Sequence, residues 1–205
     1  MRKDTEMDLV IAKKCLEIYN TDKDYQSYRD QDRVLKQLFK DYPKNDNIDE
    51  ILLKVVTLND FYSTNIMNVY TVACHILNLK IDEQLNNYEK DIVTQIANVN
   101  FGDKGNKCFY SFATKYCSMH YPDMFPIIDS HVKNVLKAYR AEGYYKFKNK
   151  DLTDYDSYCK IINAFNEYYK LNLPLRELDH VLWIFDKEKD GKLADFLHKN
   201  YVKNF

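Results

Sequence analysis

The sequence predicts an all-α fold, a compact multi-helix domain of about nine or ten helices over residues 1–205, and three observations predict it. Only four glycines and four prolines interrupt the 205 residues, too few breakers for a turn-rich β architecture. Apolar residues recur three and four positions apart along most of the chain, the spacing of one helical face. An apolar content of 45% fills a core without metal or disulfide staples, and 18 tyrosines add aromatic surface with a polar tip.

Taken in order, Met7, Val10, Ile11, Cys15 and Ile18 define a first one-faced helix. Tyr25, Tyr28, Leu35, Leu38 and Phe39 define a second, stopped by Pro43. From Ile51 to Leu58 the chain is apolar on almost every side, which predicts a helix surrounded by others; no partner strand is evident for the alternative reading as a buried strand. Ser63, Thr64 and Asn65 offer N-caps for a fourth helix over Ile66 to Leu79, and a fifth spans about Asp82 to Val99. Phe101 to Lys107 holds the closest pair of glycines and is a turn, followed by a sixth helix from Cys108 to about His120. Pro122 and Pro126 exclude a helix between Tyr121 and Pro126. A seventh helix follows Asp129 and ends at Gly143, and Tyr144 to Asp154 is a basic, aromatic connector. Helices from Tyr155 to about Leu171, from Leu175 to Asp186 and from Lys192 to Val202 complete the chain.

Charge and cysteine content narrow the function classes. The net charge of −1 argues against a protein that coats nucleic acid by bulk electrostatics. Its distribution is uneven, because residues 101–150 carry nine bases against four acids, a local +5. Such a run serves a DNA-facing patch or simply populates solvated helix faces. Five cysteines, at positions 15, 74, 108, 117 and 159, form no Cys-x-x-Cys pair, so neither a disulfide framework nor a zinc site is expected. The first six residues lead into an amphipathic stretch without an apolar signal region, and no run of eighteen apolar residues occurs, which predicts a cytoplasmic chain with no membrane partner.

One motif carries chemistry. The extended approach through Pro126-Ile127-Ile128 to Asp129-Ser130-His131-Val132 delivers a carboxylate to a helix start, where backbone N–H groups and the positive end of the helix dipole favour negative charge. At its simplest this is an N-cap. The surrounding order, a buried helix at Ile51 to Asn59, a glycine turn opening a helix with lysine, and then Asp129-Ser-His131-Val, resembles the helix-hairpin-helix DNA glycosylase superfamily over about residues 50 to 140. In that superfamily the last segment is similar to Val-Asp-Thr-His-Val, and its aspartate is the catalytic carboxylate; the resemblance places that role on Asp129.

The resemblance implies double-stranded DNA as partner and base excision as the reaction, with or without lyase activity. A target nucleotide leaves the duplex, departure of its base puts oxocarbenium character on the sugar, and Asp129 stabilises that charge and helps the attacking group lose a proton. The attacker is water or a lysine amine. Lys107 stands near the start of the helix after the turn, and Lys115 is the competing candidate two turns along. Gly102, Lys104, Gly105, Lys133, Lys137, Lys146 and Lys148 are the expected DNA contacts. The family's hairpin usually reads Leu-Pro-Gly-x-Gly, whereas Phe101 to Lys107 lacks the proline and spaces its glycines three apart. No cofactor is expected, and because no cysteine follows Cys159 the iron-sulfur cluster of some relatives is absent from the expectation. The rival readings are a glycosylase-like scaffold that binds DNA or protein without cutting, and a helical interaction domain unrelated to DNA.

Weaker signals are read as packing. His131 has no second metal ligand at suitable spacing, and His75, His120, His180 and His198 are scattered. Tyr144, Tyr145 and Phe147 alternate with Lys146, Lys148 and Lys150, a composition suited to stacking bases or to a loop packed on one side. Trp183 is assigned to a helix core face.

Overall fold

Asp8, immediately before the first helix, places one carboxylate oxygen 2.8 Å from the N–H groups of both Val10 and Ile11, and this local cap starts α1 (Leu9–Thr21). The computed structural model describes residues 7–140 and 146–201. The six N-terminal residues, the predicted helix stop Gly143, the tyrosines Tyr144 and Tyr145, and Val202 lie outside the described residues. Eleven α-helices, three short 3-10 turns and one two-stranded hairpin make up the described chain, an all-α fold as the periodicity predicts. Among the described residues these elements fall into two compact units, one formed by 7–26, 129–140 and 146–201 and the other by 27–128, where the sequence predicts a single domain with a glycosylase-like portion over 50–140.

The discontinuous unit contains α1, the turn η1 (Lys23–Tyr25), α8 (Ser130–Tyr139), η3 (Asn149–Leu152), α9 (Tyr155–Tyr168), α10 (Leu175–Glu188) and α11 (Ala194–Tyr201). Helix α10 packs against both α1 and α8. Its apolar stripe of Leu178, Val181, Leu182 and Phe185 is almost wholly removed from water, as are Ile11 and Cys15 on α1 and Val132, Val135 and Leu136 on α8. Each such side chain stabilises the fold by about 1.5–3 kcal/mol. Tyr139 presents ring edges to Phe165 and Phe185, each 5.9 Å away, and to Tyr169 at 5.5 Å. Local ties close the periphery: the Tyr201 hydroxyl donates to Asp8 at 2.6 Å, and Lys192 bridges Asp22 and Asp24 at 2.6 and 2.7 Å.

The continuous unit holds α2 (Gln26–Asp41) from Ser27 onward, α3 (Ile48–Phe61), α4 (Val69–Leu79), α5 (Asp82–Asn86), α6 (Asp91–Ala97), β1 (Asn98–Asn100), η2 (Gly102–Lys104), β2 (Asn106–Cys108) and α7 (Tyr110–His120). Three differences from the sequence reading have physical causes. The fourth helix starts at Val69, not Ile66, because Ser63 and Asn65 adopt left-handed backbone and Asn68 supplies the cap. The intervening loop is organised by Asn59, whose side chain accepts from Thr64 Oγ1 and Ile66 N. The fifth helix is broken in two at Tyr88, which lies at φ 57°, while Glu89 N closes the turn on Gln84 O at 3.0 Å. The glycine turn is flanked by strands, with Val99 opposite Lys107 in an antiparallel pair, and the next helix begins at Tyr110.

The third helix is the largest departure. Its apolar run predicts burial on all sides, yet Leu53 and Val56 remain 46% and 43% exposed while Lys54 is fully buried beside Ile51, Val55 and Leu58. Position 54 sits on the inward face by helical phase, so the lysine must find partners there. Its Nζ donates to the carbonyls of Tyr42 and Lys44 at 3.1 and 2.7 Å and to Asn45 Oδ1 at 2.8 Å. The same oxygen accepts from Tyr116 OH at 2.5 Å. Asn45 Nδ2 donates to Asp82 at 2.6 Å and meets His120 Nε2 at 3.2 Å, and its backbone N–H also reaches Asp82. Burial lowers the Lys54 ammonium to about 8 against the opposing pull of Asp82, Glu50 and Asp46. Burial, reinforced by the Lys54 charge, lowers His120 to about 3, so its ring is neutral.

Candidate functional site

Phe125, Pro126, Ile127 and Ile128 form a buried, non-helical segment, because one proline and two β-branched side chains favour extended backbone. Within its unit this segment is anchored at both ends. Lys90 donates to the Met124 carbonyl and lies 4.3 Å above the Phe125 ring, and Ile128 N donates to Thr114 Oγ1 at 3.3 Å. Asp129 follows as the first residue of the other unit's second segment. Its backbone is extended, α8 begins at Ser130, and its carboxylate accepts from Val132 N at 3.0 Å. The sequence expectation of a carboxylate at a helix start is met in geometry. Asp129 is half-buried, with Oδ2 outside the cap bond.

The two lysine candidates differ sharply. Lys107 is an exposed residue of β2, three positions before α7, so the expectation that it opens that helix is corrected; its Nζ lies 5.6 Å from the Phe101 ring. Lys115 is buried on α7, its Nζ donating to Ser111 Oγ at 2.7 Å and lying 5.4 Å from the Tyr62 ring centre. In the turn, Gly102 and Gly105 hold φ of 64° and 73°, which is why glycine stands there. Their amides are bonded within the turn: Gly102 N donates to Asn100 Oδ1 at 2.7 Å and Gly105 N to the Gly102 carbonyl at 2.9 Å. Both amides are thus engaged within an exposed turn, and Lys104 beside them is exposed as well.

The basic run is divided between the two units, Lys104, Lys107 and Lys115 in one and the remainder in the other. Lys133 and Lys137 on α8 and its C-cap Arg140 fall on one stripe at i, i+4 and i+7, flanking the core residues Val132, Val135, Leu136 and Tyr139. Arg140 extends the stripe by donating to Asn149 Oδ1 at 2.8 Å and to the Phe147 carbonyl at 3.4 Å, which holds Lys146 and Lys148, both exposed, next to the helix end. Phe147 itself is buried under Arg140, 5.3 Å from its guanidinium, so this ring packs and does not stack on a ligand.

A second polar group on α8 is absent from the sequence reading, which assigns His131 to packing. His131 Nδ1 lies 2.8 Å from Asp186 Oδ2 on α10. The same oxygen accepts from Asn134 Nδ2 at 3.1 Å, and Oδ1 accepts from Lys189 Nζ at 2.7 Å. Burial alone would raise the Asp186 carboxyl, but the hydrogen bonds from Lys189, His131 and Asn134 outweigh it and hold it below the usual carboxylate range. An ionised Asp186 accepts only, so the proton of the pair sits on His131 Nδ1. No sequence signal marks this pair, because its members are 55 residues apart. Among the described residues no group of three His, Cys, Asp or Glu side chains could hold a metal ion, and no helix is long and apolar enough to cross a membrane.

Comparison with known proteins adds a family. The family model HI_0787_N, described as an N-terminal domain, matches residues 11–124. A Haemophilus influenzae protein described as uncharacterized is 39% identical over 143 residues, which cover 69% of this chain and 68% of that protein. No solved structure matches the chain.

Proposed function

The chain belongs to the HI_0787_N family, and from the geometry at Asp129 we propose that it is a DNA base-excision glycosylase in which this carboxylate stabilises the positive charge left on the sugar as the base departs. The observation that carries this reading is the placement of Asp129. A buried proline-containing segment fixes the backbone up to Ile128, the helix start fixes one carboxylate oxygen on Val132 N, and the residue keeps part of its surface open to solvent. A carboxylate so restrained stabilises developing positive charge with little reorganisation during reaction. The stripe of Lys133, Lys137 and Arg140, continued by Lys146 and Lys148, supplies phosphate contacts along the same helix. Water as attacker requires no lysine; of the two lysines, Lys115 is buried and Lys107 is exposed.

The test is base release from duplexes carrying a single uracil, oxidised guanine or alkylated adenine, with borohydride trapping run in parallel. The expected result is release that Asp129→Asn lowers about 10²- to 10³-fold. A trapped adduct lost in Lys115→Gln assigns the amine, and release without an adduct assigns water. Wild-type protein that releases no base from any duplex, or an Asp129→Asn variant as active as wild type, removes the reading.

A second reading, a protein-binding module, is favoured by one observation: Leu53 and Val56 on α3 and Met67 and Tyr70 near the start of α4 are exposed apolar side chains on two helices that pack together. It predicts a complex that Leu53→Glu abolishes without any change in base release.

A further inference from the structure

Resting on the base-excision reading, we infer that His131 is the general base of the reaction and Asp186 its positioning residue. Two groups near the start of α8 then divide the work, Asp129 stabilising charge and His131 removing the proton.

The argument begins with proton accounting at the pair. Asp186 is 7% exposed in its side chain, offers only acceptors, and already takes bonds from Asn134 and Lys189. His131 Nδ1 must therefore carry a hydrogen toward it, and this leaves Nε2 with the lone pair. The imidazole is not a sealed core group, since its side chain is 36% exposed, and among the described residues Nε2 has no hydrogen-bond partner. Its ring is held edge-on to Trp183 at 6.1 Å, so plane and tautomer are both set. A carboxylate that orients a histidine and leaves its outer nitrogen to solvent is the physical requirement for a proton acceptor that needs no rearrangement before it acts.

Asp129 is less suited to that task. Its Oδ1 is taken by Val132 N, whereas the outer nitrogen of His131 keeps its lone pair. In the step proposed, a water oxygen forms the bond to the anomeric carbon as the carbon–nitrogen bond to the base breaks. The electron pair of that bond leaves with the base. One water proton passes to His131 Nε2, and the imidazolium then returns a proton to the departed base or to solvent. The products are the free base and a sugar hydroxyl, and His131 is neutral again.

A bond that merely ties α8 to α10 would look similar in coordinates, so the experiment separates tie from base. His131→Asn keeps an amide N–H for Asp186 and removes the ring nitrogen. We expect it to lower base release from the active duplex by about 10²- to 10⁴-fold, with DNA affinity and thermal midpoint unchanged. Adding free imidazole to His131→Ala restores part of the rate. Asp186→Asn lowers kcat with KM unchanged and shifts the nitrogen NMR signature of the His131 tautomer. Wild-type rates in His131→Asn, with Asp129→Asn inactive, overturn the inference alone. Absence of base release by the wild-type protein overturns the inference together with the reading on which it rests.

Discussion

Two polar clusters, one in each unit, are built from similar residues and end in different states. In the continuous unit Asn45, Lys54, Asp82, Tyr116 and His120 bond mainly to one another and to two carbonyls, and both amide groups of Asn45 are saturated. In the discontinuous unit Asp186 collects His131, Asn134 and Lys189, yet the outer nitrogen of His131 and the second oxygen of Asp129 point away from those bonds. On the proposed function, the difference separates a cluster that holds structure from one suited to chemistry. A closed network has no acceptor left for a substrate, so its members serve folding; an open one retains the lone pairs that proton transfer requires.

Substitutions sharpen or break that contrast, and the largest effect is expected at the centre of the closed network. Asn45→Leu removes acceptors from Lys54 and Tyr116 and a donor from Asp82 at once, and should destabilise the chain by about 3–5 kcal/mol, read by chemical denaturation. Lys54→Met keeps length and removes the charge, leaving the Tyr42 and Lys44 carbonyls without their shared donor. A loss of about 2–4 kcal/mol is expected, with hydrogen exchange accelerated first in α3. Asp186→Asn in the open network should cost only about 1–2 kcal/mol, since its donors reach water; a larger loss than for Lys54→Met would erase the distinction between the clusters.

The pH dependence gives a smaller and more specific effect. His120 titrates near 3 in the folded chain and near 6.5 when unfolded. Below pH 6.5 the unfolded chain therefore binds a proton that the folded chain does not, so stability falls as pH drops from 6.5 toward 3 and is unaffected by this group above that window. The slope approaches about 1.4 kcal/mol per pH unit, and it should be missing from His120→Gln when the two proteins are compared by thermal melts between pH 6.5 and 5. The smallest stability effect is expected at Lys107, exposed on β2: Lys107→Ala should stay within about 0.5 kcal/mol of wild type. Lys137→Ala on the α8 stripe is equally mild for folding, but should reduce the salt slope of DNA binding by about 1; an unchanged slope removes Lys137 from the DNA contacts.

Legibility in the sequence followed the range of each interaction. Most helix positions were readable because their periodicity is local, and the cap Asp129 acts on an N–H group three residues away. The break at Tyr88 was not readable, because its surroundings continue the helical spacing and only the left-handed residue interrupts it. The strands flanking the glycine turn are three residues each, too short to show alternation. At the proposed site, the helix-start carboxylate Asp129 was legible from its prolines and helix start, whereas the bond between His131 and Asp186 was hidden, since half of the pair lies on another helix.

By itself the sequence determined what depends on neighbours along the chain: an all-α fold, the approximate run of most of its helices, and a carboxylate placed at the head of α8. Tertiary structure decided what depends on neighbours across space, namely that Lys54 turns inward while Leu53 and Val56 face water, and that Asp186 claims one nitrogen of His131. The physical reason is the same in both cases. A helix repeats its faces every few residues, but which face is buried, and which distant side chain completes a hydrogen bond there, is chosen only when helices pack.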